Sequence, residues 1–125
     1  MARILIAEDD PSLRKILAKA LTESGHVVRD VGDGIEALSQ LGVEEADLLL
    51  ADVVMPGLDG IELARRAGRR YPDLKVMFIT GFAAVALTAT ARQDGFSSPK
   101  ILSKPFHLRE LARQVEAMLA TPAPL

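Results

Sequence analysis

The sequence predicts an α/β fold: one domain built on a single five-stranded parallel sheet with helices on both faces. Two observations carry this. Five short apolar runs alternate with five helical patterns, as in a chain of repeated strand–helix units. The clearest runs are apolar throughout rather than at every second residue, as strands covered on both faces must be. A third observation concerns chemistry: acids, a threonine and a lysine stand where these runs stop.

The first run, Ile4-Leu5-Ile6-Ala7, is cut off by Glu8-Asp9-Asp10. Asp10-Pro11 then reads as an N-cap followed by proline at the first helical position. Leu13, Ile16, Leu17, Ala20 and Leu21 follow at helical spacing, and Gly25 ends the helix. Val27-Val28 through Val31 is the second strand, Gly32-Asp33-Gly34 a turn, and Ile35, Leu38 and Leu41 mark a short helix. Leu48-Leu49-Leu50-Ala51 is the third strand, running into Asp52 and then the Met55-Pro56-Gly57 loop. A helix from about Asp59 to Arg70 turns Ile61, Ala64 and Ala67 inward, with Asp59 as its cap, and Tyr71-Pro72-Asp73 breaks it. Arg65, Arg66, Arg69 and Arg70 crowd its later turns, where the macrodipole favours cations; they read as a solvated face, with a partner-docking patch as the alternative.

Lys75 to Ile79 is the fourth strand, ending at Thr80-Gly81. Ala83 to Arg92 has helical character but few bulky apolar residues, so a short or mobile helix is expected there. Lys100 to Ser103 is the fifth strand, ahead of Lys104-Pro105. Leu108, Leu111, Ala112, Val115, Met118 and Leu119 define a last amphipathic helix. The domain is expected to span residues 1–120, with 121–125 a short, frayed tail.

The bulk numbers narrow the function classes. A chain of 125 residues, 49% hydrophobic and 26% charged, has the composition of a single globular domain. A net charge of −2 gives no reason to expect nucleic-acid binding. No run is long enough to span a bilayer, and Met1-Ala2-Arg3 leads straight into a strand with no room for a signal peptide. With no cysteine there is no disulfide and no thiolate metal site, which fits a cytoplasmic protein. His26 and His107 have no partner pattern and are expected at the surface.

In parallel α/β sheets the working site lies beyond the carboxyl ends of the strands. Glu8-Asp9, Asp52, Thr80 and Lys104 all stand at such ends, so the fold brings them to one edge. Clustered carboxylates repel, and proton uptake or a divalent cation relieves the repulsion. Hard oxygen donors without His or Cys favour magnesium, manganese or calcium over zinc. A phosphoryl group on Asp52 would meet the Lys104 ammonium and the Thr80 hydroxyl. The grouping reads as in-line phosphoryl transfer onto a carboxylate.

Four pieces, in order, carry a family resemblance: Ile6-Ala7-Glu8-Asp9-Asp10, Asp52 through Gly60, Ile79-Thr80-Gly81 and Ser103-Lys104-Pro105-Phe106. Over nearly its whole length the chain resembles the receiver domains of two-component response regulators, whose fold is the CheY-like (βα)5, or flavodoxin-like, arrangement. The resemblance implies that Asp52 is the phosphoacceptor and that Glu8, Asp9, Asp52 and the Val54 carbonyl hold Mg2+. It implies that Thr80 and Lys104 contact the phosphoryl group, and that the Lys104-Pro105 bond is cis. Asp10 is assigned to the helix cap, with Asp9-Asp10 as the competing metal pair. The implied partners are a histidine kinase or histidine phosphotransfer protein and a downstream protein target, with neither nucleic acid nor membrane. No effector domain is expected after residue 120, so the implied output is protein binding or phosphate relay. The segments 78–87 and 102–108 also resemble the CpdR-type stand-alone regulators, a subgroup associated with a kinase phosphorelay and with the ATP-dependent Clp protease machinery.

The alternative is a magnesium-dependent phosphatase with an aspartyl nucleophile. It requires a second carboxylate two residues after Asp52, where Val54 stands. Against a dinucleotide binder, Gly32-Asp33-Gly34 is too short and follows the wrong strand. The chain departs from the receiver pattern at Ile101, where an aromatic is usual, so no aromatic rotamer switch is available for readout. Gly81 is expected to loosen the loop after Thr80, and Gln93 to Pro99 forms a longer connection than usual. Phe82, Phe96, Ile101 and Phe106 are candidates for an apolar docking surface, with core packing as the alternative.

Overall fold

The computed structural model describes residues 2–81 and 100–120. Strands β1 (Arg3–Ala7), β2 (Val27–Val31), β3 (Leu48–Asp52), β4 (Lys75–Thr80) and β5 (Lys100–Ser103) form one sheet in the order β2-β1-β3-β4-β5. Every pairing is parallel. Helices α1 (Pro11–Glu23), α2 (Gly34–Val43), α3 (Gly60–Arg70) and α4 (Leu108–Ala120) complete the described elements. The expected helix between Ala83 and Arg92, the 93–99 connection, Phe82, Phe96 and the 121–125 tail lie outside the described residues.

The pleat sorts each apolar run between two cores. Leu5, Ala7, Leu49 and Ala51 point to the face covered by α2 and α3, where they meet Ala37, Leu41, Leu63 and Ala67. Ile4, Ile6, Leu48 and Leu50 point the other way, against Leu17 and Leu21 of α1 and Leu111 and Val115 of α4. This two-sided burial is why β1 and β3 carry apolar residues at every inner position, with Arg3 and Asp52 only at their ends.

The helix starts follow the sequence closely. Asp10 caps α1, accepting from the Ser12 and Leu13 N–H groups, with Pro11 in the first turn. Asp59 caps α3 through the Glu62 N–H at 2.8 Å. Asp33, read only as part of a turn, also caps: it accepts from the Glu36 N–H at 2.7 Å and starts α2.

Two expectations fail. Ile35 does not face the core; it is 65% exposed, and Ala37 and Leu41 fill the inner face of α2. Next to Ile35, Gly34 lies so close to Leu58 that a Cβ there would be 2.9 Å from the Leu58 Cβ. His26 is not a surface residue but is buried, between the Ala2 N–H, which donates to Nδ1, and Glu116 on α4. His107 is exposed, as expected.

Candidate functional site

The carboxyl ends of β1, β3 and β4, and the turn after β5, meet in one pocket. β1 and β3 are neighbours in register, Ala7 beside Ala51, so Glu8 and Asp52 emerge side by side. Asp52 is the last residue of β3 itself, and Ile79 is its partner on β4. Thr80 pairs with Ser103, and the Lys104 N–H donates to the Thr80 carbonyl at 2.8 Å, which brings the lysine back over the sheet edge. The Lys104-Pro105 bond is cis, as the resemblance implied.

The geometry is tight. The Lys104 ammonium lies 2.9 Å from Asp52 Oδ2 and 3.3 Å from Glu8 Oε1. Glu8, Asp9 and Asp52 each offer a carboxylate oxygen, and these oxygens lie within 4.8 Å of one another. Glu8 and Thr80 are fully buried and Asp52 nearly so, whereas Asp9 and Val54 are exposed. The Val54 N–H donates to Asp52 Oδ1 at 3.1 Å, and the Asp10 N–H to Glu8 Oε2 at 3.1 Å. Asp10 therefore gives its side chain to the helix and only its backbone to the pocket, which separates it from Glu8 and Asp9.

Charge crowding leaves a mark on protonation. Burial, reinforced by the neighbouring Asp52 carboxylate, pushes Glu8 up to about 7, although the Asp10 backbone hydrogen bond opposes it. Burial alone would pull Lys104 down, but its hydrogen bond to Asp52 and the charges of Asp52 and Glu8 outweigh that and hold it above the ordinary lysine range. A buried acid that resists ionising beside two other carboxylates is a set of hard donors suited to a divalent cation such as Mg2+.

Two residues without an assigned role in the sequence pattern shape the pocket. Gly60 is required because α3 starts directly against the Asp52–Val53 backbone. Arg14 reaches back from α1, its Nη1 donating to the Glu8 carbonyl at 3.0 Å. The available signal was electrostatic: a cation in the first turns of a helix opposes the macrodipole and needs a local anion or carbonyl to explain it. Among the described residues, no atom lies within 4 Å of where a Cβ on Gly81 would stand. Ile101 is partly buried against Ile61, Ala64 and Phe78, and Phe106 against the α1–α4 core.

A buried aspartate paired with a lysine stands at the mouth of a five-stranded parallel sheet, with two further acids beside it, where parallel α/β sheets place their working sites. The sequence matches the response regulator receiver domain family over residues 4–116, and the chain belongs to that family. It is 54% identical over 119 residues to the response regulator receiver protein CpdR of Brucella abortus, covering 95% of this chain and 98% of CpdR. It is also 37% identical to the sensor kinase CckA of the same organism, covering 94% of this chain but 12% of that kinase. Among solved structures, the response regulator TrrA of Thermotoga maritima, in complex with Mg(2+)-BeF, superposes with a TM-score of 0.83 at 27% identity, covering 94% of this chain and 99% of that one. Membership in this family disfavours the phosphatase alternative, and the apolar Val54 supplies no second acid. Among the described residues, no helix is long and apolar enough to cross a membrane.

Proposed function

We propose that Asp52 accepts a phosphoryl group from a phosphohistidine on a histidine kinase or phosphotransfer protein, and that the modified surface is read by a protein partner. The observation that carries this is the Lys104–Asp52 pair at 2.9 Å over a buried strand end, flanked by Glu8 and Asp9. An Asp52 carboxylate oxygen attacks the phosphorus; the new P–O bond forms as the P–N bond to the imidazole breaks, and the departing nitrogen keeps the electron pair. The Val54 N–H holds Oδ1, which leaves Oδ2, the atom facing Lys104, as the attacking oxygen. Lys104 then pairs with a phosphoryl oxygen, and the Thr80 hydroxyl, on the adjacent strand end, bonds another.

Glu8, Asp9, Asp52 and the Val54 carbonyl are the residues that would hold Mg2+, which when bound neutralises charge on the transferring phosphoryl group. Phosphorylation adds charge to a rigid strand end, and displacement of Lys104 from Glu8 and Asp52 is the local event that biases the surface. The resemblance of segments 78–87 and 102–108 to the CpdR-type regulators makes the Clp protease machinery the downstream partner to test first.

The test is incubation with acetyl phosphate and MgCl2, followed by intact-mass measurement of wild type and Asp52→Ala. A single phosphoryl adduct on wild type alone is expected. An equal adduct on Asp52→Ala, or none on wild type that binds Mg2+, overturns the assignment.

A further inference from the structure

Arg14 lies in the early turns of α1 yet does not reach for solvent. Its side chain is 23% exposed, with Nε 3.3 Å from Asp30 Oδ1 on β2 and Nη1 donating to the Glu8 carbonyl at 3.0 Å. The slot it occupies exists because residue 32 is glycine: a Cβ there would lie 2.9 Å from Nη1. The carbonyl it grips belongs to the peptide that joins Glu8 to Asp9. The other polar groups of Glu8 are already fixed: its N–H by the Val31 carbonyl at 3.1 Å, Oε2 by the Asp10 N–H and Oε1 by Lys104. Arg14 supplies the remaining restraint.

We propose that Arg14 is a positioning residue for the acidic pocket: anchored by Asp30 and seated over Gly32, it fixes the Glu8–Asp9 peptide and so the spacing of the two carboxylates on either side of it. Neither the Glu8 nor the Asp9 carboxylate needs to touch the guanidinium for this to operate; the restraint passes through the backbone. The inference rests on the reading of the pocket as a Mg2+ site, and its sign distinguishes it from simple electrostatics. A guanidinium near a divalent cation repels it, so if charge were its whole effect, removing Arg14 would tighten Mg2+ binding. Positioning predicts the opposite, because loss of a group that orients metal ligands typically costs 10–100-fold in affinity.

The experiment is a MgCl2 titration of the full chain followed by amide chemical shifts, with folding checked by circular dichroism. Arg14→Gln and Arg14→Lys are expected to weaken Mg2+ binding by about 10-fold or more. Gly32→Ala, which keeps every charge and crowds only the guanidinium, is expected to weaken it in the same direction. Wild-type or tighter binding in folded Arg14 variants overturns the proposal. If the Arg14 variants do not fold, Gly32→Ala and Asp30→Asn decide it by the same criterion. Asp9→Asn separates the two readings. If it binds Mg2+ like wild type, or wild type binds none, the metal-site reading falls and this inference with it. If only Asp9→Asn loses affinity, the Arg14 inference alone falls.

Discussion

The α-carbon of Gly60 sits against the Asp52 backbone: a Cβ at Gly60 would lie 2.8 Å from the Asp52 carbonyl carbon and 3.0 Å from the Val53 α-carbon. The Gly60 N–H also donates to the Val53 carbonyl at 2.9 Å. Helix α3 is thus laid directly on the strand end that carries the candidate phosphoacceptor. Gly60→Ala is expected to destabilise the fold by about 1–3 kcal/mol through forced backbone displacement, read as a lower urea midpoint at unchanged slope. Acetyl phosphate labelling at Asp52 should fall more than in Gly68→Ala, since a Cβ at Gly68 has no neighbour within 4 Å among the described residues.

The elevated Glu8 sets a pH dependence. An acid raised from 4.5 to about 7 on folding binds its proton more tightly in the native state, so its stabilising contribution is complete below 4.5 and is lost as pH rises to about 7. Without divalent cations, wild type should therefore lose stability relative to Glu8→Gln between about pH 4.5 and 7, with a constant gap above that. Urea melts of both proteins across this range measure it; parallel curves would contradict the assignment.

Lys104 neutralises two buried or nearly buried carboxylates, so Lys104→Met leaves Glu8 and Asp52 to repel each other. A loss on the order of 1–3 kcal/mol is expected at pH 8, after allowing for the partial exposure of the ammonium. Because Mg2+ can take over that neutralising role, the rise in melting temperature on adding MgCl2 should be larger in Lys104→Met than in wild type. Thermal melts with and without MgCl2 make the comparison.

His26 ties the start of the chain to α4, accepting from the Ala2 N–H at Nδ1 and meeting Glu116 Oε1 at 2.7 Å through Nε2. His26→Phe keeps the bulk but strands the Ala2 donor, and is expected to cost about 1–3 kcal/mol in urea unfolding. A double-mutant cycle with Glu116→Gln should show coupling, since the two side chains share one bond.

Most of the sheet was readable because β1, β3 and β4 are unbroken apolar runs, and a run covered on both faces needs no partner information to be recognised. The pocket was readable for the same reason: where a strand ends, the next residue is placed. Thr80 and Lys104 were thus located without knowing any contact. The misses share a different cause. Ile35 fits a helical stripe in sequence, but Ala37 and Leu41 take the inward face of α2, a choice made by packing against other elements. His26 is buried by groups 24 and 90 residues away, and no local pattern contains them. Arg14 and Gly60 matter through backbone atoms of other residues, which leave no trace in residue type beyond an ill-placed cation and a small residue.

The strand order β2-β1-β3-β4-β5 has a temporal side. Glu8 is made early in synthesis, Asp52 near the middle and Lys104 much later, yet Lys104 touches both of the others. A ribosome-bound chain, or one whose fifth strand has peeled away, still contains the aspartate but not the pocket around it. The ion pairs of Lys104 with Glu8 and Asp52 therefore form only once the segment that follows β5 has docked.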